Sequence, residues 1–268
     1  MIVDGFFVPC TDVPSGDNPV VQNNLDLRYR EVTLLPDNLT VNGYLDLANS
    51  SIEELPKNLT VKDYLDISHT KVTKLPDNLN VGGYINISHT PIKYLPDNFI
   101  ANGNLFIDHT DIEELPKGLT VKGCIGINDL SIKYIPDDIS IGRDIYLIGS
   151  PIERLPNNLT KINGNLKLSD SKIKSLPNEL EVSGDLSLFN TPIKRLPDKL
   201  IVKGSLDLTG TSIKKLPDNL VVGNCLDLTG TNITEIPESI EVGGTIVILN
   251  SSIVNIPEKF CKMGKIYA

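Results

Sequence analysis

A Leu-Pro or Ile-Pro pair returns along this chain at a nearly fixed interval, with prolines at 36, 56, 76, 96, 116, 136, 156, 177, 197, 217, 237 and 257. Ten of the eleven intervals are 20 residues and one is 21, the extra residue falling between Thr160 and Gly164. Such a period points away from one globular core and toward a stack of similar coils, each covering the next. The unit reads L-P-x-N-L-x-V-x-G-x-L-x-L-x-x-T-x-I-x-x. Its proline stops helix continuation, and 20 residues per coil leave little room for a full helix on the back.

Each part of the unit has a physical reading. G-x-L-x-L is a short strand in period-two alternation, with Leu45 and Leu47 inward and Tyr44 and Asp46 outward. The glycine before it (Gly43, Gly83, Gly103, Gly123) is expected to turn a tight corner at positive φ. Three residues after the second inward position stands Ser or Thr, as in Thr70, Thr90, Thr110, Thr191 and Thr211. An inward hydroxyl there can bond the turn backbone, and stacking predicts a ladder of such bonds. The composition agrees with repetition: thin identical layers are filled by aliphatic residues alone, and the chain has no Trp and only 5% aromatic residues.

The L-x-L-x-x-T-x-I-x-x-L-P phrase, covering about residues 22 to 260, resembles leucine-rich repeats, with Ser or Thr where many members carry Asn. The short Leu-Pro unit is most similar to the bacterial repeats of type III secreted effectors, and to arrays in bacterial and large-phage reading frames. Those effectors usually carry an N-terminal helical hairpin, and some add a ubiquitin-ligase domain with a catalytic Cys. This sequence shows neither pattern. The resemblance implies a mostly β, curved solenoid of about 12 coils, with a parallel sheet on the concave face and a non-helical back wall. The expected organisation is an N-terminal cap at 1–21, the array at 22–260 and a C-terminal cap strand at 261–268. A hairpin around Asp4-Gly5 starts the first cap, while Phe260, Met263, Ile266 and Tyr267 close the other end.

The net charge of −9 argues against direct binding to nucleic acid or an anionic membrane. Four cysteines (Cys10, Cys124, Cys225, Cys261) without CxxC spacing suggest a reducing compartment. The first residues lack the basic and apolar segments of a signal peptide. A cytoplasmic monomer is the expectation, with delivery into a host cell as the other destination.

Four columns per unit face outward: the residue before the first Leu, the one between the Leu pair, and the two after it. They carry ten acids (Asp26, Asp46, Asp66, Asp108, Asp129, Asp144, Asp170, Asp185, Asp207, Asp227) against Arg28 and Lys167. Stacked carboxylates about 5 Å apart repel one another, so the column suggests use by a partner. The richest area joins Tyr44, Tyr64 and Tyr84 with Asp46, Asp66 and Asn86, then Ser68, His69, His89, Phe106, Asp108 and His109. Smaller apolar patches are expected around Tyr146, Ile148 and Phe189, and at Val247 and Leu249.

The chain's three histidines recur every 20 residues. A straight row matches a tetrahedral metal shell poorly, even with Asp108 as an oxygen donor. Ser68 and Ser88 adjoin the row, but neighbouring strand residues diverge and an open sheet excludes no water. The sequence therefore reads as a non-enzymatic module, without cofactor, binding a protein of basic surface through an acidic, Tyr-lined face. Mimicry of nucleic acid against a DNA-binding enzyme, a secreted effector and a structural array are the alternatives.

Overall fold

The computed structural model describes residues 2–3, 6–7 and 16–268. It contains two compact units, Met1–Leu130 with Asp138–Ile141, and Ser131–Asp137 with Gly142–Ala268. Among the described residues no helix is long and apolar enough to cross a membrane.

In the N-terminal unit the front strands are Leu25–Asp26, Leu45–Asp46, Leu65–Asp66, Ile85–Asn86, Leu105–Phe106 and Ile125–Gly126. They pair in parallel, each residue opposite its equivalent one repeat away. Leu45 N–H donates to the Tyr64 carbonyl at 2.9 Å and Leu47 N–H to that of Asp66 at 2.7 Å. A second parallel ladder runs along the back through Val20–Val21, Thr40–Val41, Thr60–Val61 and Asn80–Val81. Ile100–Ala101, Thr120–Val121 and Ser140–Ile141 form another. The repeat's valine therefore belongs to a strand that the sequence reading described only as extended wall.

The C-terminal unit repeats the plan. Its front strands run from Ile145–Tyr146 through Leu166–Lys167, Leu186–Ser187, Leu206–Asp207, Leu226–Asp227 and Ile246–Val247 to Ile266–Tyr267. Its back ladder runs from Lys161–Ile162 to Glu241–Val242. The core is one rung copied many times: Leu59, Val61, Leu65, Ile67, Thr70, Val72 and Leu75 are all buried, and so are Leu200, Val202, Leu206, Leu208, Thr211, Ile213 and Leu216.

Three expectations change in detail. The glycines before the front strand do not have positive φ; they are needed because the coils touch there. A Cβ on Gly103 would lie 2.7 Å from the Gly83 carbonyl carbon and 2.8 Å from Tyr84 N. The Thr hydroxyls make no ladder between coils. Each donates to the carbonyl three residues back in its own coil, Thr70 to Ile67 at 2.7 Å, Thr90 to Ile87 at 2.6 Å and Thr211 to Leu208 at 2.8 Å. At the C-terminal end a helix, Glu258–Lys262, precedes the strand Ile266–Tyr267. It buries Phe260, whereas Met263 and Tyr267 are exposed. Lys259 and Lys265 donate to the carbonyls of Ile240 and Val242, which the back ladder's last strand leaves open. At the other end Ile2–Val3 pairs antiparallel with Phe6–Phe7, and the expected turn at Asp4-Gly5 lies outside the described residues. The rest of the expected cap up to residue 15 lies outside the described residues.

Candidate recognition surface

The turn that follows each front strand passes through the left-handed region. In the N-terminal unit this position is Tyr29, Asn49, His69, His89, His109 and Asp129, with φ between 54° and 59°. In the C-terminal unit it is Gly149, Asp170, Asn190, Gly210, Gly230 and Asn250. Gly, Asn, Asp and His are the residues that tolerate this conformation best. The histidine row is thus one way of filling a position whose backbone the fold dictates.

What this placement does to the imidazoles is specific. His69 and His89 stack with ring centroids 4.2 Å apart and planes 11° apart; His89 and His109 do so at 4.5 Å and 19°. Rings held face to face keep their nitrogen lone pairs in parallel planes, so the three cannot converge on one ion. Among the described residues no group of three His, Cys, Asp or Glu could hold a metal. His109 Nε2 lies 3.7 Å from an Asp129 carboxylate oxygen. Burial, then the imidazoles of His69 and His109, hold His89 below the ordinary histidine value.

One position before the front strand, Tyr44, Tyr64 and Tyr84 make a second stack, at 4.5 Å and 4.4 Å with planes 10° and 7° apart. Phe106 closes it edge-on, 6.2 Å from Tyr84. Burial, then the Asp46 carboxylate, pushes the Tyr64 phenol up, and burial, then Tyr64 and the carboxylates of Asp66 and Asp46, does so for Tyr84, so they remain neutral hydrogen-bonding groups. Elsewhere the same column has a structural task. Asn24 accepts the Tyr44 N–H, Asn104 that of Cys124, Asp144 that of Asn165 and Asn165 that of Asp185.

Between the two rows lie Asp46, Asp66 and Asn86. Their side chains fold back onto the turn: Asp46 Oδ1 accepts the Ala48 N–H at 3.1 Å, Asp66 Oδ1 that of Ser68 at 2.8 Å, and Asn86 Oδ1 that of Ser88 at 3.1 Å. Asn86 also donates to Asp66 Oδ2 at 2.9 Å. Arg28 holds Asp26 in two bonds, at 3.0 and 2.7 Å, and reaches within 3.5 Å of Asp46. That contact lowers the Asp26 carboxyl, while burial and then the nearby Asp66 raise that of Asp46. The carboxylate column is therefore a set of turn acceptors with its own cation. Arg28 offsets the repulsion at Asp26 and in part at Asp46, and sequence reasoning counted Arg28 without seeing this.

Two of the twelve residues singled out from the sequence are not outward. Asp46 and Ser68 are each only 7% exposed: Asp46 lies under Arg28 between two neighbouring carboxylates, and Ser68 is a short side chain beside Ala48 and Ser88 of the adjoining coils. Tyr44, Tyr64, Tyr84, Asp66, Asn86, Phe106 and Asp108 are half-buried, and His69, His89 and His109 are exposed. Asp108 Oδ1 accepts the Asn128 N–H at 2.6 Å. All twelve residues singled out from the sequence lie in the N-terminal unit. In the C-terminal unit Ile148, Phe189 and Leu249 are partly exposed.

No known family matches the chain, and no curated protein does. Among solved structures, a chain of the Drosophila Toll–Spatzle complex superposes with a TM-score of 0.58 at 18% identity, over 91% of this chain and 35% of that one. YopM, a leucine-rich effector protein from Yersinia pestis, superposes with a TM-score of 0.53 at 16% identity, over 88% of this chain and 74% of its own. This chain spans about a third of the length of the first. At such identities the likeness is one of fold, and the fold is the leucine-rich-repeat solenoid.

Proposed function

We propose that the front of the N-terminal unit is a protein-binding surface on a non-enzymatic scaffold. The observation that carries this reading is the pair of aromatic stacks. Three of the chain's eight tyrosines and all three histidines stand as two rows on adjoining coils. Stacking fixes these side chains before any partner arrives, so binding loses less rotamer entropy. Tyr supplies stiff contact area with a polar tip, the residue type over-represented where interface energy concentrates. The partner is expected to bring basic or amide groups to the phenol oxygens, Asp66 and Asp108. Its charge matters less than the sequence suggested, because Arg28 already serves Asp26 and Asp46.

The same observation weakens nucleic-acid mimicry, since a mimic needs a bare row of anions and this row is bridged at Asp26–Asp46 and ends at Asn86. The test is capture from the native cytoplasm with wild type, Tyr64→Ala and Asp66→Arg side by side. Partner yield is expected to fall at least tenfold with either variant, and a partner retained equally by all three would remove this surface from consideration.

A further inference from the structure

The C-terminal unit carries a feature that the proposed binding surface does not use. Between the left-handed turn and the Leu-Pro corner, each coil exposes two successive side chains, and in every coil before the last the residues on either side are buried. In the N-terminal unit these pairs are mixed: Glu53-Glu54, Thr73-Lys74, Lys93-Tyr94, Glu113-Glu114. In the C-terminal unit two adjoining coils present Lys194-Arg195 and Lys214-Lys215, all exposed. Among the described residues none of these four has a carboxylate oxygen within 4 Å, unlike Lys174, which pairs with Glu153 at 2.6 Å. Four exposed cations without a carboxylate within 4 Å, on a chain of net charge −9, offer an edge to an anionic partner.

The same unit supplies one. Asp207 and Asp227 face each other in register on the front strands, and each accepts the N–H two residues on, Thr209 and Thr229, at 2.9 Å. They occupy the repeat positions of Asp26 and Asp46, but Thr209 stands where Arg28 does, and among the described residues no Lys or Arg nitrogen lies within 4 Å of either. We propose that the Lys/Arg edge of one copy pairs with the Asp207–Asp227 row of a second copy, so that the chain self-associates edge to face.

The spacing favours this occupant over other polyanions. Asp207 to Asp227 is one step of a β-ladder, about 4.8 Å, and Lys194 to Lys214 is the same one-coil step, because both rows come from one repeat. A nucleic-acid backbone has no such step. Like net charge opposes approach at long range, so the attraction acts at contact and is screened by salt. The pairing is independent of the N-terminal binding surface.

Sedimentation velocity over a concentration series tests it, with wild type, Lys194→Glu/Lys214→Glu and Asp207→Asn/Asp227→Asn. Asparagine keeps the acceptor for the Thr209 and Thr229 N–H groups, and circular dichroism confirms that each variant folds. Wild type is expected to gain mass with concentration at low salt and to return to monomer at roughly 1 M salt, where screening acts over about 3 Å. Each double variant is expected to lose at least about tenfold in association. A wild type that stays monomeric throughout, or variants that associate undiminished, would overturn the proposal. So would a monomeric wild type whose edge binds a labelled DNA duplex instead.

Discussion

Leu65 in the N-terminal unit and Leu206 in the C-terminal unit have the same place: each is the first inward residue of a front strand and is fully buried. One residue earlier the two coils part. Tyr64 stands in a stack of three rings, whereas Ser205 links rungs: its N–H donates to Asp185 Oδ1 at 2.9 Å and its Oγ accepts the Cys225 N–H. The carboxylates differ likewise, with Asp26 and Asp46 bridged by Arg28 and Asp207 and Asp227 not. The comparison separates two kinds of position. Those facing the core or setting a turn are shared by both units and explain the fold. Those standing on the front and the exposed edge differ between units, and recognition is to be sought among them.

Substitutions can test that separation. The largest effect is expected in the shared core: Leu65→Ala and Leu206→Ala should each cost about 2–5 kcal/mol, measured by denaturant unfolding. A rung that tolerated the change in one unit alone would break the equivalence. Next comes the crowded corner. Gly103→Ala places a Cβ 2.7 Å from backbone and should cost about 1–3 kcal/mol. Gly230→Ala meets no atom within 4 Å but keeps φ at 67°, so only the left-handed strain of about 1–2 kcal/mol remains. Similar losses would show that close approach is not what the first glycine serves.

The smallest effect is a pH dependence confined to the N-terminal unit, which holds every histidine. His89 has a folded pKa below its ordinary 6.5, so the unfolded chain takes the proton first. Its neutral form is fully favourable above that value, and stability is lost as pH falls through the window beneath it. Hydrogen-exchange protection near His89, taken relative to the intrinsic exchange rate at each pH, should therefore fall between about pH 7 and pH 5. His89→Asn, which suits φ of 58°, should flatten that change while leaving the C-terminal unit's exchange unaltered.

Much of this was legible in the chain because a repeat states its own inward positions. Leu45, Leu47, Ile52 and Leu55 are buried as their spacing required, and so are the hydroxyl positions Thr70 and Thr211. What stayed hidden depends on contacts between coils. Gly103 reads as a turn glycine, although the constraint comes from the coil beside it. The His row reads as a motif, although its backbone torsion is set by the turn and shared with Asn49 and Asp129. Asp46 and Asp66 read as free charges, because a side chain that folds back to its own turn leaves no mark in sequence beyond Asp itself. Arg28 two residues after Asp26 was the one visible signal of compensation.

The central claim is that recognition belongs to the ring stacks and not to the repeat as such. A single binding measurement decides it: the affinity of the captured partner for wild type, for Tyr64→Ala and for Thr209→Ala, a change on the other unit's front. Removing one ring from the middle of the stack should weaken binding at least tenfold, about 1.4 kcal/mol, while the Thr209 change leaves affinity as it was. Equal affinity for all three, or a loss at Thr209 alone, would contradict the account.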